Sequence, residues 1–256
     1  MNTQEVFASP VCPEVRRIKP SDLTDALREG VTDFWRTLDV FADPFSVAII
    51  GVLYPAVCLY LLDAHPQLLF PFMSGLTLIG PFAATGLYEA KRRQELGLDA
   101  SPAARGSPAL PSILALGLAL LIIFTCWQAT ADSLYRWLFG PATPMSLGGF
   151  LREVLTTSRG WTLIILGNAI GSVFAFAALS ISVISFPLLL DRNVGEAVAV
   201  ETSIRAVMAN PLTMMLWGLI VAAALTIGFS LCFVGALIAA PILASANWRL
   251  YRKTVQ

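Results

Sequence analysis

The side chains able to carry chemistry in this chain are few and scattered. His65 is the single histidine, in the turn Asp63-Ala64-His65-Pro66-Gln67, and cysteines stand at 12, 58, 126 and 232, three of them inside apolar runs. Haem or copper ligation inside a helical bundle gathers several histidines or cysteines together. One histidine beside a proline therefore reads as an interfacial loop residue. The cysteines have no short pair spacing, so neither a disulfide framework nor a zinc site is written. Cys58, Cys126 and Cys232 could meet Met214 or Met215 as a soft metal site, but cysteine in an apolar run more often acts as a small filler. Among the acids, Asp63, Asp132 and Asp191 fall at the ends of apolar runs and Glu89 follows Tyr88 at another end. Proton-coupled pumps bury carboxylates within their spans, so this placement argues against such chemistry.

Asn168 is the most polar group deep in an apolar run. It lies in Gly167-Asn168-Ala169-Ile170-Gly171, followed by Ser172, a small-xxx-small face where backbones approach and an amide can bond across helices, within one bundle or between copies. Its rival role is the polar lining of a solute pathway. Pro81, Pro187 and Pro241 each free a carbonyl one turn earlier and can kink a helix, either tilting its end or opening a vestibule. Lys91-Arg92-Arg93 and Arg252-Lys253 form basic helix ends whose simplest roles are topology and attraction to anionic lipid, about 1 kcal/mol per side chain near the surface. A phosphate-binding glycine loop, a nucleophile elbow and a zinc-protease motif are all missing from the sequence. No catalytic, cofactor-binding or metal residue is assigned, and no cofactor is expected.

The elements that position these residues are set by composition. Hydrophobic residues make up 56% of the 256 and charged ones 13%, with mean hydropathy +0.71. A water-soluble domain of this make-up has no means of covering its surface, so the solvent for most of the chain is lipid. Basic and acidic residues balance at 17 each, which gives no footing for nucleic acid. The bilayer itself is the expected partner, with other membrane proteins, or a second copy through Gly167 and Gly171, as the further candidates. Residues 1–20 are expected to be a disordered cytoplasmic tail, with the first span acting as an uncleaved anchor.

A membrane helix needs about 20 largely apolar residues to cross the hydrocarbon. Runs 45–62, 68–88, 111–131 and 161–190 qualify. Pro211 to Ala246, taken as one helix, would be about 54 Å long, so two helices are expected, 211–228 and 231–250, breaking near Gly228 to Ser230. Six spans with the N-terminus inside place every basic residue except Arg136, Arg152 and Arg159 in the cytoplasm, whereas five would move Arg249, Arg252 and Lys253 outside. The positive-inside bias favours six. Interfacial helices are expected over 21–42, 146–158 and 194–209, the first with Leu23, Leu27, Val31 and Phe34 on its apolar face and Ser21 as cap. Gly97 to Pro111, rich in small residues and proline, reads as a linker.

An internal likeness organises these spans. Met73–Arg93 aligns without a gap on Phe233–Lys253, matching Gly75 with Gly235, Pro81 with Pro241, Ala84 with Ala244, Thr85 with Ser245, Tyr88 with Trp248, Arg92 with Arg252 and Arg93 with Lys253. It extends back through Asp43-Pro44 and Asn210-Pro211. Both copies start and finish inside, which makes the repeat parallel, and Ser185-Phe186-Pro187 marks the middle pair of spans as a possible third copy.

These motifs carry a resemblance. Arg17-Ile18-Lys19-Pro20, Gly80-Pro81 with Gly86-Leu87-Tyr88-Glu89 and Arg92-Arg93, Ser185-Phe186-Pro187-Leu188-Leu189-Leu190-Asp191-Arg192, Asn210-Pro211, Trp217-Gly218, and Pro241 with Ala246-Asn247-Trp248-Arg249-Leu250-Tyr251-Arg252 resemble a family of bacterial integral membrane proteins known as domain of unknown function 2189. The likeness runs from about residue 15 to the C-terminus. It implies membrane location and architecture, with no activity attached. The family pattern places a histidine beside the tryptophan; here Asn247 and Arg249 flank Trp248, which removes support for a metal or haem role at that position.

The expectation is an all-α membrane protein: a polytopic bundle of six transmembrane helices in three hairpins over 21–253, with a parallel repeat and cytoplasmic interfacial helices, in the cell inner membrane with both termini cytoplasmic. Its expected role is that of a non-enzymatic accessory, scaffold or assembly subunit, the alternative being a channel or carrier for a small neutral or hydrophobic solute. A reporter enzyme fused after Gln256 is expected to be active on the cytoplasmic side; activity on the outer side would remove the sixth span.

Overall fold

The computed structural model describes residues 13–34, 52–97, 109–141, 146–192, 194–230 and 234–255. Among them the secondary structure is helical: α1 (Pro20–Thr32), α2 (Tyr54–Ala64), α3 (Pro66–Ala83), α4 (Thr85–Glu95), α5 (Leu110–Phe139), α6 (Leu147–Thr156), α7 (Ser158–Ser182), α8 (Ser185–Asp191), α9 (Glu196–Ala209), α10 (Pro211–Ser230) and α11 (Val234–Thr254). Helix α5, the run α7–α8 and the first 18 residues of α10 are each long and apolar enough to cross a membrane.

The apolar residues of the long helices point both ways. On α5, Ile113, Leu116, Leu120, Trp127, Ala131 and Tyr135 are buried, while Leu114, Leu118, Leu121 and Ile122 are exposed. Ile165 and Val173 on α7 and Leu212, Met215 and Leu219 on α10 are exposed as well. A helix that is apolar all round needs a non-aqueous surrounding, and the outward leucines and valines supply the lipid-facing surface.

Glycines set the register inside. Phe124 of α5 lies against Gly75 of α3, and Phe82 of α3 lies against Gly117 of α5, so the two helices run in opposite directions with rings filling glycine notches. Gly235 of α11 meets the backbone of Gly228 of α10. The break expected near Gly228 to Ser230 does not fall there: these residues are still helical, and 231–233, between α10 and α11, lie outside the described residues.

Helix α1 begins where Pro20 takes the first helical position and the Asp22 carboxylate accepts the Lys19 N–H at 2.8 Å. The start thus rests on Lys19 and Asp22, and Ser21 lies inside the helix. Its buried face is Leu23, Ala26 and Gly30, while Val31 is 56% exposed. That is a turned version of the expected stripe, and the reason is close packing: a Cβ on Gly30 would lie 2.5 Å from the Ile242 carbonyl oxygen of α11. Small residues win the contact because α11 comes too near for leucine or valine. Residues 35–42 of the expected interfacial helix and 45–51 of the first span lie outside the described residues, as do 1–12 of the tail and 98–108 of the linker.

The tail expected to be disordered to residue 20 is pinned from Val15 onward. Val15 pairs with Val255 in an isolated bridge, the Arg16 N–H donates to the Thr254 carbonyl at 2.8 Å, and Ile18 is buried. A polar sequence became ordered because the chain end supplied backbone partners.

Two of the expected spans are interrupted near the same end. Run 68–88 divides at Ala84 into α3 and α4, where the Thr85 hydroxyl donates to the Phe82 carbonyl at 2.8 Å. Run 161–190 divides at Val183 and Ile184, one turn before Pro187. Helices α4, α8 and the end of α11 pack together there, α1 lies along α11, and α9 lies along α7 and α8.

Gly30→Leu is expected to lower stability by about 1–3 kcal/mol through overpacking against α11, read as a lower unfolding midpoint in detergent. Gly86→Ala, with open space around it inside α4, is the control expected to leave the midpoint in place or raise it, alanine being the better helix former.

Candidate functional site

Three features stand out from the packing: a buried helix break, a locked polar end around it, and a cavity towards the other end of the helices. At the break, Pro187 has no N–H to give the Val183 carbonyl four residues earlier. Asn247 of α11 takes that role, its Nδ2 donating to the Val183 oxygen at 3.0 Å and to the Tyr88 hydroxyl at 3.0 Å. The Ile184 N–H donates to the Ser203 hydroxyl of α9 at 3.2 Å. The Ser185 hydroxyl lies 2.7 Å from the Ile181 carbonyl and 3.0 Å from the Ala199 carbonyl. Ser182, Ser185, Ser203 and Asn247 are all buried. The Val183 carbonyl and the Ile184 N–H thus each have a partner from another helix, and among the described residues Asn247 Oδ1 is a buried acceptor with no hydrogen bond.

Outward of this node the polar end is laced together. The Trp248 indole N–H donates to Glu95 at 2.8 Å, and the Arg252 guanidinium binds Glu95 at 2.7 Å and both oxygens of Asp191 at 2.8 Å. The Tyr251 hydroxyl donates to Asp191 at 2.6 Å. Arg252 also stands over the Trp248 ring at 5.1 Å and the Tyr251 ring at 5.6 Å, adding cation–π attraction to the ion pairs. Tyr88 and Trp248, the aromatic residues matched by the internal likeness, stack on one another with ring centroids 6.1 Å apart.

Helix α1 is stapled to the same end. Lys91 pairs with Asp33 at 2.6 Å, Arg249 with Glu29 at 3.0 Å, and Lys253 with Asp22 and Asp25 at 3.3 and 3.1 Å. The Lys19 N–H holds the Asp22 carboxyl below its ordinary range, with desolvation opposing and Lys253 adding to the shift. Arg92 is bidentate on Glu89. The basic clusters read from the sequence as open positive ends are therefore matched by carboxylates of the same chain at Lys91, Arg92, Arg252 and Lys253. Asn210 clamps the incoming chain: its Oδ1 accepts the Ile18 N–H at 2.8 Å, its Nδ2 donates to the Arg16 carbonyl at 3.0 Å, and the neighbouring Thr213 hydroxyl donates to the Ile18 carbonyl at 3.3 Å.

The cavity, of about 300 Å³, lies between α3, α5, α7 and α10. Trp127, Phe70, Met73 and Phe174 give it its apolar walls; Gly167, Asn168, Gly171 and Ser172 form the α7 side. Trp127 packs over Gly171, and its indole N–H donates to the Pro71 carbonyl at 3.1 Å. Asn168 donates to the Ile164 carbonyl of its own helix at 2.8 Å, and Ser172 to the Asn168 carbonyl at 2.7 Å.

The other candidate residues do not gather. His65 sits at the junction of α2 and α3, edge-on to Tyr60 at 6.5 Å. Cys58 is buried on α2 and Cys126 exposed on α5, Met214 is buried while Met215 is 57% exposed, and Cys232 lies outside the described residues. Among the described residues no group of three or more His, Cys, Asp or Glu is placed to hold a metal ion. Asn247 and Asn210, which hold the two central hydrogen-bond nodes, were legible only as a departure from a pattern and as a helix stop. Their signal was an amide next to a repeated proline or aromatic motif.

Residues 69–191, from α3 through α8, match the model of a family described as "Predicted integral membrane protein (DUF2189)". The resemblance read from the Gly80-Pro81 and Ser185 to Arg192 motifs is thus borne out over that segment. No curated protein and no solved structure matches the chain. It is an integral membrane protein whose described residues are helical and hold three candidate spans.

Asn247→Leu is expected to cost about 1–3 kcal/mol, because the Val183 carbonyl loses its donor in a buried site. Tyr88→Phe, which removes one partner of the amide and leaves the carbonyl satisfied, is expected to cost about 0.5–1.5 kcal/mol. Unfolding titrations in mixed micelles read both, and equal losses would show that the carbonyl does not depend on Asn247.

Proposed function

We propose that this protein is a non-enzymatic accessory, scaffold or assembly subunit of a larger membrane system. In this reading it forms a bundle of six spans in three hairpins in the inner membrane, with a parallel repeat and both termini in the cytoplasm. The observation that carries the role is the closure of the polar end. Tyr88, Asn247, Trp248, Glu95, Asp191 and Arg252 join α4, α8 and α11 through bonds that run from the buried Asn247–Tyr88 contact to the exposed Arg252 ion pairs, and a solute pathway through that end would have to break them together.

The packing of the interfacial helices supports the repeat. Helix α9, which precedes the last pair of long helices, lies on α7 and α8 of the pair before it, and α1 lies on α11 of the last pair. Each covers the second helix of the preceding hairpin, with α1 closing the circle. The basic residues at the ends of α4 and α11 support the cytoplasmic assignment of that end. Trp127 against Gly171 supports a packing role for the small-residue face within one chain; association of copies through Gly167 and Gly171 would have to use what Trp127 leaves uncovered.

A channel or carrier is the second reading, favoured by the cavity beside Asn168. Purification from native membranes in mild detergent is expected to yield a stoichiometric membrane partner; a clean monomer or homo-oligomer would overturn the scaffold role. Proteoliposomes are expected to pass glycerol no faster than empty vesicles, and a flux that Asn168→Leu abolishes would establish the carrier instead.

A further inference from the structure

We propose that the cavity between α3, α5, α7 and α10 holds one acyl chain of a membrane phospholipid. The placement comes first. Three of its four walls are helices long and apolar enough to cross a membrane, and the α7 side, Gly167 to Ala175, lies 6 to 14 residues inside the apolar run 161–190, so the space opens within the hydrocarbon, towards the end of the helices away from the polar node. The opening is lateral: Phe70 is 59% exposed, and Asn168, Ser172 and Ala175 are exposed at the rim.

The chemistry of the wall then selects the ligand. Polar side chains line the cavity, but their donors are spent on the protein itself. The Trp127 N–H goes to the Pro71 carbonyl, the Ser74 hydroxyl to the same carbonyl at 3.0 Å, the Asn168 amide to Ile164, and the Ser172 hydroxyl to Asn168. Most of what faces the space is ring, thioether and methyl surface. A polar solute entering it would lose hydration and find few hydrogen-bonding groups in return, whereas an alkyl chain loses none. A volume of about 300 Å³ is at the small end of ligand pockets, which run about 300–1,000 Å³, and leaves room for no more than a single chain. The glycines keep the slot open, since Gly167 and Gly171 present backbone where larger residues would fill it. A phospholipid satisfies the geometry directly, with its chain entering from the side while its headgroup stays in its own leaflet. This inference stands apart from the scaffold role and survives its failure.

The test uses the full chain in nanodiscs made either with ordinary phosphatidylcholine or with phosphatidylcholine brominated at mid-chain, bromine being a contact-range quencher of indole fluorescence. The Trp127 contribution is the difference between the wild type and Trp127→Phe. It is expected to be quenched by the brominated lipid, and the quenching is expected to be lost in Ala175→Leu or Ser172→Leu, which fill the slot from its rim. Of these, the variant that keeps wild-type elution and helix content is the one read. An unquenched Trp127 would overturn the proposal, meaning that protein, such as a second copy of the chain, covers the slot. Equal quenching in the wild type and the filled variant would also overturn it, since the lipid would then only be passing along the surface.

Discussion

A proline in the interior of an apolar helix leaves one carbonyl without its donor, and in a site shielded from water nothing but the protein can replace it. Here the carbonyl is Val183, opposite Pro187, and the donor is Asn247 of α11. The same break frees the Ile184 N–H, which Ser203 of α9 accepts. Two helices far apart in sequence are thus drawn to one point. Asn247 reaches Tyr88 with its second hydrogen, so α4 is fixed as well. Once these positions are set, Trp248 and Arg252 stand within reach of Glu95 and Asp191, and the polar end closes around the node.

The N-terminal segment completes that closure by different means. Its residues are polar or small, and little apolar burial holds it apart from Ile18 and Leu23. Backbone bonds do the work: Asn210 on one side and the Thr254 carbonyl on the other. The ion pairs beyond them are graded by exposure. Arg249 and Glu29 are 38% and 46% exposed and belong to the class worth about 0–1 kcal/mol, while Lys91 at 8% beside Asp33 at 17% is screened far less. The exposed pairs align α1 on α11, and the close approach at Gly30 holds it there.

Much of the architecture was legible because hydrophobic runs and prolines act locally. The apolar stretches of α5, α7 and α10 announce themselves by length alone, and Pro187 marks a place where a helix must lose a bond. The face of α1 was harder. Its pattern points to Leu23, Leu27 and Val31, but the buried side includes Ala26 and Gly30, because the distance to the neighbouring helix, which no periodicity records, favours small residues. The basic ends of α4 and α11 were legible as charge but their pairing was not, for a similar reason: Asp22, Asp33 and Asp191 lie 58 to 231 residues away from the side chains they bind.

The amino-acid sequence by itself determined that this chain folds into helices in a membrane, where those helices are weakened, and which ends carry charge. Those properties follow from residue type and short spacing. Only the tertiary structure decided that Asn247 is the donor for a broken helix, that Asn210 is the clamp on the N-terminal segment, and that four helices leave an apolar slot beside Trp127. An amide carries the same hydrogen-bonding groups wherever it stands, and a cavity is a property of no single helix. What each does depends on the group that packing brings within 3 Å of it, or fails to bring at all.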